Sequence, residues 1–82
     1  MVEPRALCSI AHEINEDWKN VYFGAVPYLN AMRTLVSIRD AYGADDGETI
    51  VAYFLANAQT WRGETAKRVK AELNGLLKGA RK

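Results

Sequence analysis

The chain has 82 residues, one cysteine, one histidine, and 11 Lys/Arg against 10 Asp/Glu. A chain this short holds one core and buries only about 60–65% of its unfolded surface, so nearly every apolar stripe must serve that core. With 49% apolar and 26% charged residues it is not a disordered chain, and no apolar run nears the roughly 18 residues that a membrane span needs.

Glu3, Pro4 and Arg5 stand where a signal peptide would build its apolar centre, so secretion is not expected. A lone cysteine makes no internal disulfide, which fits a reducing, cytoplasmic setting. The spacing of Leu7, Ile10, Ala11, Ile14, Trp18 and Val21 predicts an amphipathic helix from about Arg5 to Asn20, with Pro4 in its first turn. Residues 21–28 follow as an aromatic stretch nearly free of charge, broken by Gly24 and Pro27. It reads as a tight connector folded into the core. Pro27 opens a second helix through Leu29, Met32, Leu35 and Val36, whose end toward Tyr42 the β-branched Thr34, Val36 and Ile38 leave open.

Residues 41–47 form the one clear turn. Gly43 suits the left-handed conformation that ends a helix, and Asp45 with Glu48 resembles a capping box. The third helix carries a wide apolar face of Ile50, Val51, Phe54, Leu55 and Ala58. Thr60 is the expected N-cap of a fourth helix from Trp61 to about Lys78, with Glu64 as the alternative start because Gly63 is unfavourable in a first turn. Its inner stripe is Trp61, Thr65, Val69, Leu73 and Leu76/Leu77, and the tail 79–82 should fray. No repeat or linker divides the chain. The reading is an all-α fold: one compact four-helix domain over residues 1–82, with a tight aromatic connector between helices 1 and 2.

Charge is segregated along the chain. From Trp61 onward there are seven basic residues against two acidic, a net +5, whereas the first 60 residues carry four against eight, a net −4. Lys67, Lys70, Asn74, Lys78 and Arg81 follow helical steps along one outward face, a stripe able to track nucleic-acid phosphates. The same stripe serves equally as the solvated side of a helix whose C-terminus favours cations, or as a partner for the acidic first half.

Residues able to carry chemistry are few. Cys8, His12 and Glu16 stack a thiol, an imidazole and a carboxylate at helical spacing, but one Cys and one His fall short of a structural zinc set. His12 is also the sole imidazole available as a base for a nucleophile, and the acidic cluster around Gly47 is too short for a calcium loop. No metal, cofactor or enzymatic activity is expected. The aromatic connector has two roles open to it. Trp18, Tyr22, Phe23 and Tyr28 anchor helix 1 on helix 2 if buried, and Tyr22 and Tyr28 form a partner-binding patch if exposed. Trp61 inward with Arg62 at the rim is a second such pair.

The run from Asp17 to Leu29 and the stretch from Ile50 to Ala58, continuing at Trp61-Arg62-Gly63-Glu64, resemble sequences of small uncharacterised helical proteins encoded by phages and mobile elements. The matching residues cover a little under a third of the chain. The resemblance implies an accessory factor that binds a host protein or nucleic acid, without carrying any residue's role across. Three functions follow. The first is a non-enzymatic module binding a host or phage protein, as an inhibitor for example, through Tyr22, Tyr28 and Arg62. The second is a nonspecific nucleic-acid binder using Lys67, Lys70, Lys78 and Arg81. The third is a self-associating structural protein whose homodimer face is Ile38, Tyr42 and Leu77.

Overall fold

The computed structural model describes residues 5–43 and 45–80. Helix α1 spans Leu7–Asp17 and buries Leu7, Ile10, Ala11 and Ile14, the expected stripe. It is shorter than its periodicity predicts at both ends. No side chain caps its start; instead the amides of Leu7 and Cys8 donate to the carbonyls of Val36 and Leu35 at 2.9 and 2.8 Å. That tertiary cap satisfies two of the amides every helix N-terminus leaves open. Pro4 lies outside the described residues. At the other end Trp18 leaves the helix with an extended backbone, although its N–H still reaches Ile14 at 2.8 Å. The bend turns the indole inward.

Helix α2 is brief, Val26–Met32, with Pro27 in its first turn as expected. It stops four residues before Val36 because the chain finds other hydrogen bonds. The Thr34 hydroxyl donates to the Ala31 carbonyl at 2.8 Å, and the Asp40 carboxylate accepts the amides of Val36 and Ser37, both at 3.0 Å. Such side-chain bonds compete with helix continuation. Residues 38–42 are therefore not helical. Ala41–Tyr42 (β1) pairs antiparallel with Asp45–Asp46 (β2), a strand pair the sequence reading did not foresee. Gly43 does take a left-handed φ of +62°, in this hairpin rather than at a helix end.

Helix α3, Gly47–Ala56, is capped by Asp46, not Asp45: its carboxylate accepts the Thr49 amide at 2.8 Å. Ile50, Val51 and Phe54 are buried on α3 and Ala58 just beyond it, while Leu55 is only partly covered. Helix α4 runs Glu64–Ala80, three residues later than Trp61. Gly63 has a φ of +114°, which breaks the helical path, and Thr60 is not its cap. Ala66, Val69, Leu73 and Leu77 form its inner face. The helix continues through Gly75 and Gly79; Arg81 and Lys82 of the tail lie outside the described residues.

The helices form a ring of contacts, α1 on α2, α2 on α3, α3 on α4 and α4 on α1. At its centre the Trp18 and Trp61 indoles stack at 5.8 Å and 13°, and Phe54 meets both edge-on at 6.2 and 6.5 Å. Trp61 Nε1 donates to Asp17 Oδ2 at 2.8 Å, so the buried indole keeps its one polar group satisfied. Ile38 and Leu77, expected on a homodimer face, belong to this core. The fold is mostly helical, and among the described residues no helix is long and apolar enough to cross a membrane.

At Gly47 the chain passes close to the backbone of Ile38. A Cβ there would lie 2.5 Å from the Ile38 carbonyl oxygen, and the Gly47 amide already donates to Asp40 at 2.7 Å. Gly75 faces open space within α4. Gly47→Ala should therefore destabilise by about 1–3 kcal/mol in urea unfolding. Gly75→Ala should stabilise by about 0.5–1 kcal/mol in the same assay.

Candidate functional site

Two stretches of the chain contain no Asp, Glu, Lys, Arg or His: Asn20 to Met32 and Thr49 to Trp61, 13 residues each. They contain α2 and most of α3, which pack against each other, so the uncharged segments meet in space. Four of the five most exposed large apolar residues fall in them: Phe23 at 79%, Tyr53 at 52%, Tyr22 at 43% and Val26 at 38%. The fifth, Val36, stands elsewhere.

The aromatic rings of this face are ordered in pairs. Tyr28 of α2 stacks on Tyr53 of α3 with centroids 5.5 Å apart at 25°, and Tyr22 leans on Phe23 at 4.8 Å. Tyr22 is held by its surroundings. A Cβ on Gly24 would fall 2.6 Å from the Tyr22 ring and 2.8 Å from Asn57 Oδ1, so that ring lies over Gly24 beside the end of α3. Asn57 is itself fixed, its amide donating to the Tyr53 carbonyl at 2.8 Å. A shallow cleft of about 240 Å³ between Tyr22, Ala56, Asn57, Gln59 and Thr60 continues the face, also without charge. An ordinary solvated surface places charge here; this one places rings and amides.

The connector is thus folded into the core only in part: Val21 and Tyr28 are half-buried against it, while Tyr22 and Phe23 are exposed. Its buried residue is Ala25, whose amide closes a turn on the Tyr22 carbonyl at 2.8 Å. That turn aims Tyr22 and Phe23 outward. Of the expected partner-binding residues, Tyr22 and Tyr28 both lie against α3 on this face. Arg62 is exposed but belongs with the start of α4, where its charge acts on Lys70. The sequence offers Phe23 as a core anchor only and gives Tyr53 no role, though a wheel with Ile50, Val51 and Phe54 inward sets Tyr53 at its outer edge.

The opposite edge of the ring, α1 on α4, is built from charge. Arg5 binds both oxygens of Glu72 at 2.9 and 2.6 Å, and its third nitrogen lies 2.8 Å from Glu13 Oε1. Arg68 of α4 closes the set on the other Glu13 oxygen. Arg68, then Arg5, hold the Glu13 carboxyl below its ordinary value, and Arg5 does the same for Glu72. Of these contacts, Glu13–Arg68 joins an acid of the first half to a base of the second, and Arg5–Glu72 runs the other way.

The basic stripe is correspondingly reduced. Lys70 turns back on the core: Nζ donates to the Trp61 carbonyl at 2.7 Å and sits 5.9 Å over the Trp61 ring. Burial, then the charge of Arg62, pushes its pKa down. Among the described residues, Lys67 and Lys78 are the exposed members of the stripe without an ion pair, and Arg81 lies outside them. His12 Nε2 is 3.4 Å from Glu16 on the surface of α1, and Cys8 is a half-buried free thiol. Among the described residues no three His, Cys, Asp or Glu side chains gather as a metal site.

Glu13 and Glu72 titrate lower in the fold than in the unfolded chain, where 4.5 is the ordinary value. Their stabilisation is therefore complete above that value and lost as pH falls through the depressed folded values. Urea midpoints should be flat near neutrality and drop below about pH 4.5, and Glu13→Gln should flatten that acid limb. Lys70→Met should cost about 1–2 kcal/mol, chiefly the charged hydrogen bond to the Trp61 carbonyl. Comparison with protein-family models, with curated proteins and with solved structures finds no match to this chain.

Proposed function

We propose that the chain is a small non-enzymatic module that binds another protein through the uncharged aromatic face formed by Tyr22, Phe23, Tyr28 and Tyr53. The observation that carries this reading is the 79% exposure of Phe23, together with an exposed Tyr53, within segments stripped of charge. Interface centres are poor in charge and rich in Tyr, Phe and Trp, because rings bring a large contact area at low conformational cost. The resemblance to small proteins of phages and mobile elements points the same way, to an accessory or inhibitory role beside a host or phage protein. A single thiol suits the cytoplasm for that role.

Nucleic-acid binding would rest on Lys67, Lys78 and Arg81, since Lys70 and Arg68 are engaged within the fold. The two readings separate by salt and by substitution. A protein held by the aromatic face should remain bound at roughly 1 M salt, where the Debye length is about 3 Å. Phe23→Ala should weaken that binding by about tenfold or more. Retention that survives Phe23→Glu and Tyr53→Glu but is lost with nuclease, or in Lys67→Gln/Lys78→Gln, overturns the proposal.

A further inference from the structure

We infer that the protein docking on the aromatic face brings an arginine beside its apolar contact, and that the guanidinium enters a hollow at the start of α3. The inference rests on the docking role of that face and names the chemistry of what docks. The hollow, about 390 Å³, is lined by Asp46, Glu48, Thr49, Ala52 and Tyr53. Helical spacing brings these residues together. Glu48 and Ala52 are one turn apart, as are Thr49 and Tyr53, so the acids at the helix start lie one turn before the ring. Ala52, beside the ring in the second turn, carries only a methyl group and leaves the space open.

Carboxylates at a helix start are by themselves the ordinary complement of its dipole. Here an aromatic ring shares their hollow. Tyr53 is 52% exposed, and its stack on Tyr28 at 5.5 Å and 25° holds the ring in place. Carboxylates call for a cation and a tyrosine ring for a flat group. A guanidinium is both, forking onto carboxylate oxygens and stacking on rings, whereas an ammonium is only a point charge. The surrounding chain supplies no such cation. Residues 40–61 contain Asp40, Asp45, Asp46 and Glu48 but no Lys, Arg or His. Glu13 and Glu72 are held by Arg5 and Arg68, whereas among the described residues Asp46 has no ion pair. The Thr49 amide takes one of the roughly four positions at which the Asp46 carboxylate accepts. Tyr53 belongs both to the hollow and to the face, so one partner segment covers the two, apolar residues on the rings and arginine at the acids.

Amide NMR shifts of the full chain test this, with a blocked peptide of one arginine between leucines as the probe. The arginine peptide should shift the amides of Thr49, Ala52 and Tyr53. Its citrulline counterpart, alike in shape but uncharged, should bind about five- to tenfold more weakly. At roughly 1 M salt the two should converge, the apolar contact alone remaining. Asp46→Asn keeps an N-cap and Glu48→Gln keeps the side-chain length, so the double variant should hold its circular dichroism and lose the preference for arginine. Ala52→Leu, which fills the hollow without touching its charge, should do the same. Equal binding of the two peptides overturns the inference. So does a preference that survives Asp46→Asn/Glu48→Gln, or the absence of shifts at those amides up to roughly 10 mM peptide. The docking role is judged apart from this: peptides that bind equally and are both lost on Phe23→Glu keep the face and remove only its arginine.

Discussion

The stack of Trp18 on Trp61 is the constraint on which the rest of the structure depends. One indole ends α1 and the other precedes α4, so their contact closes the intervening chain, with α2, the strand pair and α3 inside it. Each buried indole removes about 200 Å² from water, up to about 5 kcal/mol. Domains of this kind are stable by only about 5–15 kcal/mol in total, so the clasp is of the same order as the whole margin. The Asp17 bond to Trp61 Nε1 selects one orientation of that indole, and Phe54, edge-on to both, ties α3 to the closure. Lys70 bonds the Trp61 carbonyl on the other side, which fixes the start of α4 relative to the clasp.

With the clasp shut, the ring of helices has two unlike edges. On one, α1 and α4 are joined by Arg5, Glu13, Arg68 and Glu72, whose mutual contacts neutralise them. On the other, α2 and α3 meet through apolar contacts and the Tyr28–Tyr53 stack, within residues 20–32 and 49–61 that carry no charge. Arg68 and Lys70 are engaged within the fold, which lessens what is left of the basic second half for an external polyanion.

The buried stripes of α1, α3 and α4 were legible from the 3.6-residue period, since Ile10, Ile14, Phe54, Val69 and Leu73 leave no other common face. The short elements were not. A strand of two residues, Ala41–Tyr42, has no alternation to detect. The end of α2 is decided by Asp40 reaching back to Val36 and Ser37, and the start of α1 by carbonyls of Leu35 and Val36 some 28 residues away. Such bonds depend on the finished fold. The aromatic connector reads as unusual in the sequence but its direction does not, because ring content is the same for a buried anchor and an exposed patch. The direction is set by Ala25, a small residue that takes the inward position in the turn. Tyr53 was hidden by a like ambiguity, lying beside Phe54 in an apolar run.

Phe23 then distinguishes a folding role from a docking one. The turn at residues 22–25 needs the Tyr22 carbonyl, the Ala25 amide and room at Gly24, none of which involves the Phe23 side chain. Any small polar residue would meet the backbone requirement and avoid holding an apolar ring in water. Tyr53 poses the same question one helix away: its ring supports Tyr28, yet half of it stays outside the core. Folding gains little from exposing either ring, and both lie in chain segments that carry no charge. A cost that brings the isolated chain no stability is recovered when the rings are covered. On the proposed function, the face is half of a contact that another surface completes.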